Sequence, residues 1–427
     1  MSAVVLPNSI NYEEPLATLP PDTQNIQVIA NPVNGATFGA NSQIIVDLGN
    51  RGFLDPASLY IRYKFTAASA GNVEMVGTPV YTPFLRLDTL INSATVETIN
   101  NYNVISNMLT NLKLSVSDKI GQQYALGYTD SGATTPINNE QTDGRTVSNA
   151  ENGFLSGPLY NCLSFSEKMI PLFLMNNIRL VFTLDSLTNM CNTQTGKNPF
   201  TGFTISNFEL CYNMIDFGSE INNNIMAMDK IRIKSQSFAS SVSPLASATS
   251  GNVNLVFNHR YSSVKAAYLN CGGGDALKSA NKNMDAYDIT SGNGDFQLQV
   301  NGVNYPSRSL STINNKAGIL QELRKTMNSI FDKNVAMSIN SYEFSVYSST
   351  STTSFIIPAK FWVPFCLQKL TIPQKAFFTG VNTNGSPLTV SINIGTATSQ
   401  IHNVMLILNY DMILEIEPQS KQVQVIQ

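Results

Sequence analysis

The sequence is short of charge. Only 13% of its residues are Asp, Glu, Lys or Arg, about half of the roughly 25% usual in soluble domains. The balance is −3 and the isoelectric point about 5.5, which excludes a chain that binds nucleic acid through bulk positive charge. Histidine is almost missing. His259 and His402 are the only two, and neither sits in a nucleophile elbow or an H-E-x-x-H, so both are expected to be structural. The five cysteines (Cys162, Cys191, Cys211, Cys271 and Cys366) include no close pair. Zinc knuckles, C-x-x-C redox motifs and a disulfide framework are thereby excluded, leaving buried free thiols in a reducing compartment. Long apolar runs are lacking too: the stretch 404–416 is broken by Asn409, Tyr410 and Asp411, well short of a membrane span. The first residues carry no basic stretch followed by an apolar one, so no secretory signal is expected and the protein is read as soluble and kept inside the cell.

Catalytic constellations are equally scarce. The run Gly272-Gly273-Gly274-Asp275 lacks the Gly-Lys-Ser/Thr of a phosphate loop and reads as a flexible loop. Glu415 and Glu417 flank Ile416 and would share one strand face, but with no partner acid elsewhere they read as a solvated strand end. Asn384-Gly385-Ser386 fits a glycosylation sequon, yet without a signal it reads as a turn. Trp362, among Phe361, Val363 and Phe365, is expected in the core or a subunit interface. No catalytic, cofactor-binding or metal-ligating set emerges, and no cofactor is expected.

What the chain does have is apolar residues at 43% and 48 Asn. That mixture supports a packed core while favouring strands and turns over helices. Alternation with period two recurs along the chain. Leu59, Ile61, Tyr63 and Phe65 share a face; so do Ile178, Leu180, Phe182 and Leu184; so do Phe208, Leu210, Tyr212 and Met214. Later sets are Val253, Leu255, Phe257; Phe296, Leu298, Val300; Leu388, Val390, Ile392, Ile394; and Val404, Leu406, Leu408 running on to Leu414. Many half-buried strands argue for a mostly-β sandwich. Two helical stripes interrupt them, Ile105/Met108/Leu109/Leu112 and Ile319/Leu320/Leu323/Met327, each following Ile-Asn-Asn, where Asn101 and Asn315 are N-cap candidates. Tyr212-Asn213-Met214-Ile215 is echoed by Tyr410-Asp411-Met412-Ile413. Two echoes in the same order predict two tandem copies of one β-rich domain.

The expected division is an extended, proline-rich arm (1–35), a first domain (36–225), a second domain (226–418) and a tail (419–427). The arm carries Glu13, Glu14 and Asp22 but no Lys or Arg, so it is not expected to grip phosphates. Long polar loops at 129–152 and 271–295, with shorter ones at 66–82 and 347–354, are expected to contact partners.

Three stretches carry a family resemblance: FLRLDTLINSATVETINNYNVISNMLTNL (84–112), LSFSEKMIPLFLMNNIRLVFTLDS (163–186) and IHNVMLILNYDMILEIEP (401–418). They resemble the double jelly-roll major capsid proteins of icosahedral double-stranded DNA viruses, of the polinton-like virus, virophage and adintovirus type. The resemblance implies an all-β fold of two tandem eight-stranded jelly rolls, each with one short helix inserted. It implies three copies in a pseudo-hexameric capsomer, built into a virion shell inside the host cell. Loops 129–152 and 271–295 would form outward towers, and the arm and tail would run under neighbouring capsomers. Its implied partners are neighbouring capsomers, penton and minor capsid or cement proteins; an internal membrane is compatible but not indicated, and no sequence-specific nucleic-acid binding is expected. The alternative is a carbohydrate-binding or adhesive β-sandwich of fibre or lectin type, which leaves the paired helices and the arm without a role.

Overall fold

The computed structural model describes residues 23–68, 73–75, 77–127, 146–147, 154–190, 201–246, 249–273, 294–312, 315–327, 339, 362–369, 378–395 and 402–427. Four antiparallel sheets carry the fold. In the first half one sheet has β1 (Gln24–Ala30) and β2 (Thr37–Phe38) along one side of β13 (Gly202–Asp216). On the other side of β13 lie β5 (Tyr60–Ala68) and then β10 (Phe154–Pro158), with β4 (Phe53–Leu54) and β11 (Ile170–Pro171) beyond the reach of β5. The facing sheet runs β3 (Gln43–Leu48), β12 (Ile178–Leu184), β7 (Phe84–Ile91), β8 (Ala94–Asn100).

The second half repeats this plan. One sheet runs β14 (Ile231–Leu245), β21 (His402–Glu417), β16 (Val264–Gly273), β19 (Val363–Cys366), with β22 (Gln422–Ile426) added to the end of β21. Its partner runs β15 (Gly251–Phe257), β20 (Leu388–Ile394), β17 (Gly294–Val300), β18 (Val303–Ser311). A small ribbon pairs β6 (Val73–Glu74) with β9 (Thr146–Val147). Each half is thus two facing layers in jelly-roll order, of seven and four strands in the first half and of five and four in the second, with the last long strand of the half at the centre of the larger layer. The echoed tetrapeptides fall on those two strands at matching places: Tyr212 pairs with Val28 of β1, and Tyr410 with Ser237 of β14.

Period two builds these layers. Along β12 the side chains alternate strictly between buried and half-exposed, with Ile178, Leu180, Phe182 and Leu184 inside. Leu59, Ile61, Tyr63 and Phe65 are likewise buried. Rings lock the first core: Phe182 and Phe208 have centroids 5.3 Å apart, and Tyr63 meets Phe84 edge-on at 5.5 Å, geometries that add to simple burial. β21 departs from the alternating expectation. Met405, Ile407 and Ile413 are buried as well as Leu406 and Leu408, so this strand is covered on both faces, as its near-continuous apolar run allows.

A helix follows the outer strand of the second layer in each half, Tyr102–Lys113 after β8 and Lys316–Thr326 after β18. The second is capped as its sequence suggests, Asn315 Oδ1 accepting from Gly318 N at 2.9 Å. The first is not. Asn101 adopts a left-handed conformation (φ 52°) and makes no side-chain cap; its amide donates instead to Ser240 Oγ in the other half. Nor does the first helix show one apolar stripe to the core, because every residue from Tyr102 to Leu112 is buried. Its asparagines find partners inside: Thr78 N donates to Asn107 Oδ1 at 2.9 Å, Asn103 Nδ2 to Asp185 Oδ2 at 3.0 Å, and Lys119 Nζ to Asn111 Oδ1 at 2.7 Å. Part of the asparagine abundance therefore serves the interior, where each buried amide needs partners.

The described part of the expected arm and the expected tail both join sheets of their own chain. Residues 24–30 form β1, paired with β13 in full register. Residues 422–426 form β22, paired with β21 of the same chain. The cause is the alternation Gln422-Val423-Gln424-Val425, which places both valines against the core.

Candidate assembly surfaces and the joint between the halves

The two halves meet where β8 and the segment 161–168 of the first face β14 of the second. The register of β14 sets Ser235 and Ser237 toward the first half. Ser237 Oγ donates to the Glu97 carboxylate of β8, and Ser235 Oγ donates to the Cys162 carbonyl. Glu97 also accepts from Cys162 N at 3.0 Å and from Thr89 Oγ1 at 3.0 Å. It is 2% exposed. Burial pushes its pKa up, and these donors act against the shift by favouring the ionised form. The seam continues as Ser240 Oγ donating to the Asn100 carbonyl at 2.8 Å and Glu167 N donating to the Lys234 carbonyl at 3.0 Å. Phe165 packs on Phe238, ring centroids 5.7 Å apart, and Lys113 Nζ lies 4.0 Å from the Phe165 ring centroid. Burial and the neighbouring Lys265 ammonium pull Lys113 down to about 7. The chain end reinforces the joint: Asn92 Nδ2 donates to the Lys421 carbonyl at 2.8 Å and Gln427 Nε2 to the Val96 carbonyl at 3.3 Å.

A second buried carboxylate, Asp411 of β21, closes the base of the second half. Its Oδ2 accepts from Ser263 Oγ at 2.6 Å and from Thr379 N at 3.0 Å. Gly380, beside it, is pressed so close to β16 that a Cβ there would lie 2.2 Å from the Val264 carbonyl oxygen.

The sequence candidates take structural places. His259 Nε2 is 2.8 Å from Ser241 Oγ and its ring stacks on Tyr261; burial lowers its pKa. His402 opens β21, its backbone opposite Leu245. Glu415 is not at a solvated strand end: it is buried and binds Lys230 Nζ at 2.8 Å and Arg232 Nε at 2.7 Å, because antiparallel pairing puts Arg232 directly opposite it. Those two cations hold its pKa down. Glu417 joins Lys230 at 3.3 Å. Trp362 is fully buried, and Asn384–Gly385 form a turn. Gly272 and Gly273 extend β16 rather than starting a loop, paired with Asn403 and His402; Gly274 and Asp275 lie outside the described residues. So do most of loops 129–152 and 271–295 and all of 347–354, and with them Cys191. Cys162 and Cys211 are buried free thiols and Cys366 is a half-buried one. Among the described residues no group of three His, Cys, Asp or Glu could hold a metal, and no helix is long and apolar enough to cross a membrane.

What remains outside is largely neutral. Several charges on the sheet faces are neutralised across strands: Arg179 binds both oxygens of Asp47 at 2.6 and 2.9 Å, and Arg62 binds Glu209, each pair set by register. The Glu97 seam had no signal in the sequence, since Cys162 and Ser237 stand 65 and 140 residues away.

Two jelly rolls in tandem, joined edge to edge, make this a double jelly-roll fold. Solved structures of that fold match the chain nearly end to end. A chain of the PBCV-1 virus capsid superposes with a TM-score of 0.62 at 12% identity, over 95% of this chain and 96% of that one. The Faustovirus major capsid protein gives 0.63 at 10%, over 96% and 92%. The mavirus major capsid protein gives 0.54 at 10%, over 100% and 95%. Identities this low establish the shared fold. No family model matches the sequence, and no curated protein does.

Proposed function

We propose that the chain is the major capsid protein of an icosahedral double-stranded DNA virus, acting by assembly and not by catalysis. The observation that carries the reading is the complete double jelly roll, which spans more than nine tenths of both this chain and the capsid proteins it resembles. Three copies form a pseudo-hexameric capsomer, and capsomers associate with one another and with penton and minor capsid or cement proteins in the virion. We place the boundary between the two domains near residue 225, in the helix Ser219–Met226 that links β13 to β14.

A neutral surface suits this role. Identical copies placed side by side repeat every charge, so like-charge repulsion is least where charges are few or already paired. Weak contacts repeated under closed symmetry then give a stable shell that still corrects errors. The test is the solution mass of the purified protein by light scattering, with negative-stain images. Three times the 46.6 kDa chain mass, with hexagonal particles or shells, is the expected result. A single-copy species at high concentration, with binding to immobilised glycans, would replace this reading with the adhesive β-sandwich.

A further inference from the structure

The chain has five Asn-Gly steps, at Asn34, Asn152, Asn293, Asn301 and Asn384. Asparagine is a thermolabile residue, and a glycine after it leaves the next amide nitrogen unshielded by any Cβ. Asn152 and Asn293 lie outside the described residues. Asn34, Asn301 and Asn384 are all exposed, so access to water does not separate them. Side-chain restraint does. Asn34 Oδ1 accepts from Ile45 N at 3.0 Å, and its Nδ2 donates to the Gln43 carbonyl at 2.8 Å. Asn301 Oδ1 accepts from Ser386 Oγ at 2.7 Å, and its Nδ2 donates to the Asn382 carbonyl at 2.8 Å. Both of these amide groups are held through nitrogen and oxygen together. Asn384 has one long bond, Nδ2 to Ser262 Oγ at 3.4 Å, and its Oδ1 has no partner among the described residues.

We propose that Asn384 is a site of spontaneous deamidation, and that its conversion loosens the hold on the chain end. In the step, the Gly385 nitrogen gives its proton to solvent and its electron pair to Asn384 Cγ. The Cγ–Nδ2 bond breaks and ammonia leaves. Water opens the five-membered imide at either carbonyl, giving an aspartyl or an isoaspartyl residue at position 384 and one new negative charge. The ring closes only when Cγ comes within about 3–3.5 Å of the next amide nitrogen. Asn34 and Asn301 must each give up two hydrogen bonds to rotate there, whereas Asn384 gives up only the long one. The consequence runs through Ser262, whose hydroxyl donates to the Gln427 carbonyl at 2.6 Å. A carboxylate at position 384 is a stronger acceptor than that carbonyl, and it takes the Ser262 proton. Gln427 then keeps the bond from its own Nε2 to the Val96 carbonyl but loses the one from Ser262. This chemistry belongs to the folded chain and does not depend on a shell.

The experiment incubates the purified full chain at mildly alkaline pH, natively and in urea, and reads each Asn-Gly peptide by mass spectrometry over time. In the native protein the Asn384 peptide is expected to convert roughly ten-fold faster than the Asn34 and Asn301 peptides, the factor that one to two hydrogen bonds are worth in rate. In urea, where no such restraint survives, the three are expected to convert at similar rates. Gly385→Ala places a Cβ 3.6 Å from Asn301 Oδ1, an ordinary contact, so this variant is expected to fold like the parent and to suppress conversion at Asn384. Native conversion of Asn34 or Asn301 as fast as Asn384 would overturn the assignment. So would an Asn384 that stays intact natively while the urea sample reacts. Asn384→Asp reads the consequence directly: hydrogen exchange across residues 422–427 is expected to quicken several-fold while β12 keeps the parent rate. Unchanged exchange there would overturn the link to the chain end.

Discussion

Replacing Glu97 tests whether the seam between the halves carries stability. In Glu97→Ala the Cys162 N–H loses its only seam acceptor and cannot turn elsewhere, a cost of about 1–3 kcal/mol for a buried orphaned donor. The hydroxyls of Ser237 and Thr89 each lose a charge-assisted bond but can rotate toward other oxygens, costing roughly 1 kcal/mol apiece. Against this, the variant no longer keeps a carboxylate out of water, the effect that raises the Glu97 pKa. The net loss is expected at about 3 kcal/mol, in the range for breaking one side of a buried polar cluster. Glu97→Gln keeps the shape and one acceptor oxygen but turns an amide donor toward the Cys162 N–H, and should lose about 1–2 kcal/mol. Equilibrium urea unfolding followed by two probes measures both. The single Trp362 is buried in the second half, so its fluorescence reports that half, whereas far-UV circular dichroism reports both. The two transitions should coincide in the parent and separate in Glu97→Ala as the halves uncouple. A loss below about 1 kcal/mol, with coincident transitions, would refute the idea that this carboxylate joins the halves.

Three further outcomes are expected. Gly380→Ala should cost at least about 3 kcal/mol in urea unfolding, since its Cβ would meet the Val264 carbonyl at 2.2 Å, whereas Gly121→Ala, with nothing within 4 Å, should be neutral or gain about 0.5–1 kcal/mol. Lys113, held near 7 against an ordinary 10.5, keeps its proton in the unfolded chain across a window where the folded protein has lost it. Stability should therefore rise with pH from about 7 to 10.5, and Lys113→Met should flatten that rise in unfolding midpoints measured across the window. Deleting residues 419–427 should lower the stability of the isolated chain, because Val423 and Val425 pack on its own core; an unchanged melt with altered shell assembly would instead favour a tail that acts only between molecules.

Strand identity was legible wherever one face alone is buried. The sets in β12, β17 and β20 sit inside as period two requires, and in β15 Leu255 and Phe257 do so with Val253 half-buried. Alternation carries no such information where burial is two-sided. The helix Tyr102–Lys113 reads as amphipathic from its apolar stripe, but its Asn103, Asn107, Asn111 and Thr110 bond Asp185, Thr78, Lys119 and the Ser106 carbonyl inside the protein, and polarity in the sequence does not distinguish water from a polar interior. The tail could have been read as a strand from Val423 and Val425, a two-residue alternation that is too short to stand out. Glu415 looked solvated because its partners Lys230 and Arg232 lie 185 and 183 residues earlier. Glu97 is the same case with a functional consequence, since pairing across the seam depends on topology and no local pattern records it.

The order of the strands also fixes a timetable for synthesis. In each half the larger layer is built around a long strand made late: β13 holds β1, β2, β4 and β5, and β21, followed only by β22, holds β14 and β16. Until residue 216 has left the ribosome, the early strands of the first half have no common partner; the second half waits in the same way for residues 402–417. Sheets closed by such long-range pairings form slowly and keep their edges open meanwhile. The first half can nonetheless close while the second is still being made, so β8 can already present Glu97 when Ser237 arrives, and the nascent second half folds against a finished template.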